Sequence, residues 1–107
     1  MKKVGTPWLL AMAPLILAMV SVPLALGLVE PNAFYGVRIA ATRASEAAWY
    51  RANHASGVAG AAGGLVGFAL NLRVLRSSLP PLRQIQACLA VLVGLAALIA
   101  VTGIAAA

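Results

Sequence analysis

The sequence predicts an all-α, polytopic membrane protein: three transmembrane helices with a structured first interhelical loop. Three observations carry that expectation. Of the 107 residues, 63% are hydrophobic and only 9% are charged. The eight basic and two acidic side chains leave long uncharged intervals at Val4 to Val29 and Gln84 to Ala107, and a shorter one, rich in glycine, at Ala55 to Leu72. Between the first and second intervals of apolar chain lies a stretch, Glu30 to Gly57, that is polar and aromatic. An apolar helix of about 20 residues crosses a hydrocarbon layer about 30 Å thick. The expected organisation is therefore one membrane domain over 1–107, with spans near 8–29, 55–72 and 85–104 and a membrane-edge segment at 30–57. These spans leave no room for a soluble catalytic domain or a nucleotide-binding fold.

The first span, Trp8 to Val29, follows Met-Lys-Lys. Such an opening is also like a secretory signal, with Ala25-Leu26-Gly27 as a loose cleavage site, but retention is expected. The apolar run is long for a signal core, it contains Pro14 and Pro23, and removal would leave a two-helix remnant. Pro23 should bend the helix or end it early, because proline has no amide donor and clashes with the carbonyl four residues back. In the second span, Gly60-x-x-x-Gly64 and Gly63-x-x-x-Gly67 let a neighbouring backbone approach closely. Paired prolines at Pro80-Pro81 then make a turn, flanked by Arg73, Arg76 and Arg83 at headgroup level. The third span, 85–104, tolerates Gly94 and reads as packing material.

The formal charge of +6 bears on orientation more than on a nucleic-acid partner, and no nucleic acid is expected. Lys2, Lys3, Arg73, Arg76 and Arg83 would share one side, against Arg38, Arg43 and Arg51 on the other. By the positive-inside rule the N-terminus is expected to be cytoplasmic and the first loop outside.

Reactive groups are few. One Cys, one His and two acidic residues do not make a zinc site, which needs three or four ligands, and no phosphate loop or metalloprotease motif occurs. No catalytic residue, cofactor or metal is expected. Cys88 reads as a small buried residue. Arg38, Glu46, Tyr50, Asn53 and His54 form the one dense polar neighbourhood in which a small membrane enzyme could be sought. Glu46 and His54 are separated by about 12 Å along an ideal helix, too far for an acid/base couple.

The loop has more definition. Pro31-Asn32 can start a turn and Gly36 frees the backbone after it. Thr42 is a candidate helix cap, with Ser45 and Glu46 in the first turn. Arg38 can pair with Glu46, donate to backbone carbonyls or bind a lipid phosphate, with structural organisation the leading account. Trp49 and Tyr50 are expected as aromatic anchors at headgroup level, and His54 as an interfacial hydrogen-bonding residue.

Projected at about 100° per residue, Glu46, Trp49, Tyr50, Asn53, Gly57, Gly60, Gly64, Gly67 and Asn71 occupy a sector about 100° wide, the width of one packed face. This stripe should meet the first or third span, leaving Val58, Leu65 and Val66 to lipid. A helix running from Arg43 to Leu72 would be about 45 Å long, so it must project from the hydrocarbon, tilt, or break near Asn53 to Gly57.

The ordered pattern Asn32-x-x-x-Gly36-Val37-Arg38, then Thr42, then Ser45-Glu46-x-x-Trp49-x-x-Ala52-Asn53-x-x-x-Gly57 resembles the signature of the SdpI family. These are small bacterial membrane proteins named for an immunity protein against a secreted killing toxin. The resemblance extends from about Pro14 to the C-terminus and corresponds to a three-span unit like the C-terminal part of that larger protein. It departs at Ile39, where Thr commonly follows the loop Arg. Longer relatives argue for the loop on the cytoplasmic side, opposite to the charge count.

The resemblance marks Asn32, Gly36, Arg38, Thr42, Glu46, Trp49 and Asn53 as the characteristic positions. The expected function is a non-enzymatic membrane protein that recognises a peptide toxin, a lipid or a protein partner through its first loop, with Tyr50 beside those positions. The alternatives are an accessory subunit of a transporter or other membrane complex, and a small membrane enzyme. Gly57, Gly60, Gly64 and Gly67 can pack within one chain or between copies in a homo-oligomer.

Overall fold

The computed structural model describes residues 6–107, so Lys2 and Lys3, which enter the charge count, lie outside the described residues. Four helices follow one another: α1 (Trp8–Ala25), α2 (Ala40–Arg43), α3 (Glu46–Leu75) and α4 (Pro81–Ala106). Three of them, α1, α3 and α4, are long and apolar enough to cross a membrane. No strand occurs among the described residues. The chain is an elongated body of 54 × 22 × 19 Å, and α3, with 30 residues, runs nearly its whole length. Of the three ways to accommodate so long a helix, a break near Asn53 to Gly57 is not taken.

Helix α1 continues through both prolines and stops at Ala25, four residues short of the expected Val29. The stop is chemical. Gly27 takes φ +70°, a left-handed conformation that glycine adopts without a Cβ penalty. The Gly27 amide then donates to the Leu24 carbonyl (3.2 Å) and the Leu28 amide to the Pro23 carbonyl (3.0 Å), which is a Schellman termination. At the other end of the molecule Pro81 opens α4, where its missing amide is harmless because the first-turn amides lack helical partners anyway.

Helix α3 is central. Both α1 and α4 pack along it and touch each other far less. On the α1 side the seam is built from small residues: Ala11, Pro14, Ala18 and Ser21 are buried on α1, against Gly57, Gly60 and Gly64 of α3. A Cβ at Gly57 would run into the Ala25 and Leu24 backbone, and one at Gly64 into the Pro14 carbonyl. In a bilayer, where lipid tails are as apolar as the side chains, such close approach is what makes helices adhere, through dispersion contacts. Asn71 extends the seam downward, its amide donating to the Ala11 carbonyl at 3.0 Å.

On the α4 side the neighbours are side-chain ends: Leu95 and Leu98 near Gly63, and Val91 near Gly67. Cys88 is buried here and has no disulfide partner. Val58, Leu65 and Val66 lie exposed on the outer side of α3. Gly94 also faces outward, with nothing within 4 Å of where a Cβ would stand.

Candidate functional site

The connection between α1 and α3 is held onto the top of α3 by side chains that reach backbone atoms. Four carbonyls end an α-helix without helical partners, and at a membrane edge each needs another donor. In α1 the Val22, Leu24 and Pro23 carbonyls accept from Leu26, Gly27 and Leu28. The fourth, Ala25, lies 2.6 Å from His54 Nδ1. A carbonyl only accepts, so Nδ1 carries the proton. Trp49 Nε1 then donates to the Val29 carbonyl at 2.9 Å. Trp49 is 1% exposed. It is the interior post of the loop, as its place on the packed face of α3 implies, and not an exposed anchor at headgroup level; Tyr50 beside it is half-buried.

Asn32 makes the next turn. Its Oδ1 accepts from the Phe34 and Tyr35 amides (2.8 and 2.7 Å), and its Nδ2 donates to the Glu30 carbonyl (2.8 Å). An aspartate could supply only the acceptor half. The Asn32 carbonyl in turn accepts from Arg38 Nε at 2.9 Å. Of the roles open to Arg38 the structure displays donation to a backbone carbonyl, which braces the turn. Glu46 instead stands exposed in the first turn of α3, where its carboxylate complements the exposed amides.

Gly36 is required twice over. Its φ is +105°, and a Cβ there would sit 2.7 Å from Asn53 Oδ1 and 3.2 Å from the Trp49 ring. The loop therefore lies directly on α3. Asn53, 2% exposed, clamps it: Oδ1 accepts from the Val37 amide, while Nδ2 faces the Trp49 carbonyl at 3.0 Å and the Val37 carbonyl at 3.4 Å.

Thr42 is fully buried and closes the turn from 37 to 42. Its hydroxyl accepts from the Ile39 amide (3.0 Å) and directs its single proton towards the Val37 and Ile39 carbonyls (2.9 and 3.0 Å). That engagement corrects the expected cap. Thr42 belongs to the short α2, and Ser45 caps α3 by accepting from the Ala48 amide at 3.0 Å. Ile39 stands where the resemblance leads to an expectation of Thr, yet the turn closes, because Thr42 takes the backbone amide of residue 39 and needs nothing from its side chain.

Sequence reasoning missed two arginines here. Arg51 Nε donates to the Ala106 carbonyl at 2.6 Å, tying the start of α3 to the end of α4. Arg43, which had entered only the orientation count and the expected start of the long helix, lines a cleft of about 300 Å³ together with Pro31, Asn32, Ala33, Arg38 and Trp49. No local pattern marks Arg43, because α2 is what brings it beside Arg38. Close by, Phe34 projects at 96% exposure from the turn that Asn32 holds. Partial burial pushes the Tyr35 phenol above its ordinary pKa, so it stays neutral.

The cleft offers guanidinium donors and an aromatic wall, with no base or nucleophile: it can bind and orient. Among the described residues no three His, Cys, Asp or Glu side chains come together to hold a metal ion. Neither curated proteins nor solved structures gave a match to this chain. The SdpI/YfhL protein family matches residues 29–106, and the chain belongs to that family. The matched stretch starts at Val29, the carbonyl that receives Trp49, and takes in the whole loop with α3 and α4. Family and apolar helices together make this a bacterial, multi-pass membrane protein.

Proposed function

We propose that this SdpI/YfhL-family chain is a recognition protein of the membrane edge, in which α1, α3 and α4 are scaffold and the loop from Asn32 to Asn53 presents a site to a peptide toxin, a lipid or a protein partner. One observation carries the reading. Asn32, Gly36, Thr42, Trp49 and Asn53 are occupied in holding the loop's backbone, while Phe34 and Arg43 remain outward on that rigid frame and Arg38, braced only through Nε, is exposed beside them. Ordering a loop in advance removes part of the entropy loss on binding. An exposed aromatic beside arginines has the composition of a binding hot spot.

The family's namesake immunity makes a secreted peptide toxin the first partner to test. Cells making the wild type, Arg38→Ala or Arg38→Lys at equal membrane abundance are challenged with candidate peptide toxins. The reading expects protection to fall with Ala and to be partly kept with Lys. Unchanged protection in both variants, together with no protein crosslinked from a photoreactive residue at Phe34, removes it.

The accessory-subunit reading has a narrower basis. Gly57, Gly60 and Gly64 are already filled by α1 of the same chain. A membrane partner or second copy would have to use an outward face, such as that of α4 around Gly94 or of α3 around Leu65 and Val66.

A further inference from the structure

We infer that the cleft between Arg38 and Arg43 is a binding site for the phosphate of an anionic lipid headgroup. This rests on the reading of the loop as a recognition element and names the chemistry of its ligand. Two exposed guanidinium groups line one hollow, and no carboxylate lines it. Arg38 is pre-organised: Nε is held by the Asn32 carbonyl at 2.9 Å, and Asn32 is itself locked by three hydrogen bonds of its side chain. That bond leaves the terminal nitrogens of Arg38 for an oxyanion, which a planar fork grips through paired donors.

Arg43 comes to the same hollow from the end of α2, whose position Thr42 sets. Placement selects the source. The loop sits where α3 bonds to the last residue of α1, through His54 to Ala25, and to the chain just beyond it, through Trp49 to Val29, and the same end of the bundle holds the Arg51 bond to Ala106. This is the depth at which apolar helices give way to headgroups. Lipid phosphates lie there at high local concentration, and juxtamembrane arginines are drawn to them.

The test uses the full chain in nanodiscs of equimolar phosphatidylcholine and phosphatidylglycerol, released into mild detergent, with retained lipid counted by native mass spectrometry. Arg38→Gln and Arg43→Gln are each expected to lower retained phosphatidylglycerol about tenfold. Arg51→Gln removes the same charge at the same membrane edge but outside the cleft, and should change retention by less than about twofold. Arg43→Gln touches none of the loop's hydrogen bonds described above, so an unaltered Trp49 emission in a Trp8→Phe background certifies its fold.

Displacement of the lipid by inorganic phosphate supports the site and adds a soluble source for the same group. Equal losses in all three variants would mean diffuse charge attraction and overturn the proposal, as would wild-type retention no greater for phosphatidylglycerol than for phosphatidylcholine. Displacement by a carboxylate-bearing peptide at concentrations where phosphate has no effect overturns it in favour of a peptide ligand. Should lipid retention fail while Arg38→Ala still abolishes toxin protection, the recognition reading stands without the phosphate site.

Discussion

The two seams of α3 are made of the same residue type in different ways. Towards α1, two glycines meet backbone, Gly57 on the Ala25 and Leu24 main chain and Gly64 on the Pro14 carbonyl, with Gly60 between them against the short Ser21 side chain. Towards α4, glycines meet the tips of side chains, Leu95 and Leu98 at Gly63 and Val91 at Gly67. Backbone cannot yield without moving a helix, whereas a leucine tip can change rotamer. The α1 seam is therefore the rigid one, and it continues upward without interruption into Asn53 and Trp49, where the loop is clamped. The α4 seam is the adaptable one. One face of one helix both spaces the bundle and positions the candidate site.

The sharpest way to break this contrast is Gly57→Ala. The added methyl has no space beside the Ala25 backbone, and a loss of about 3 kcal/mol is expected from overpacking. Thermal unfolding in detergent measures it, and a loss no larger than at Gly63 would erase the distinction between the seams.

Gly36→Ala comes next, at about 2 kcal/mol, because the new side chain meets both a left-handed backbone and the Trp49 ring. Its signature should be local: a red shift of Trp49 emission in a Trp8→Phe background as the loop lifts.

Gly63→Ala should cost about 1 kcal/mol or less, since Leu95 Cδ1, at 3.0 Å from the new Cβ, can turn away. Gly94→Ala sets the floor. Nothing lies within 4 Å of its Cβ position, so the variant should unfold at the same temperature or gain up to about 1 kcal/mol from reduced backbone freedom in the unfolded chain.

Periodicity made much of the scaffold legible. The projection that joins Trp49, Asn53, Gly57, Gly60, Gly64, Gly67 and Asn71 describes a face that is buried in the structure along its whole length, while Glu46 and Tyr50, at its upper end, are exposed and half-buried. The loop was harder, for a definite reason. Thr42 and Ser45 are both good caps by residue type, and which one caps α3 depends on where the Val37 carbonyl lies, which in turn depends on Asn53, 16 residues away from Val37. Trp49 reads as an interfacial aromatic until the Val29 carbonyl and Gly36 arrive over it. The stop of α1 at Ala25 was nearer to hand, since Gly27 is a standard left-handed terminator. Hydropathy overran it because Leu26, Leu28 and Val29 are as apolar as the helix before them.

What the sequence by itself determined is the number of crossings, the central glycine face and the scarcity of chemistry. Each depends on residue type and on spacings of three and four, which act within a single helix. Only the tertiary structure decided which glycines meet backbone, that Trp49 bonds the Val29 carbonyl, and that Arg38 and Arg43 share one cleft. Those outcomes turn on hydrogen-bonding groups and close contacts brought together from separate segments, and their geometry exists once α1, the loop and α3 are packed against one another.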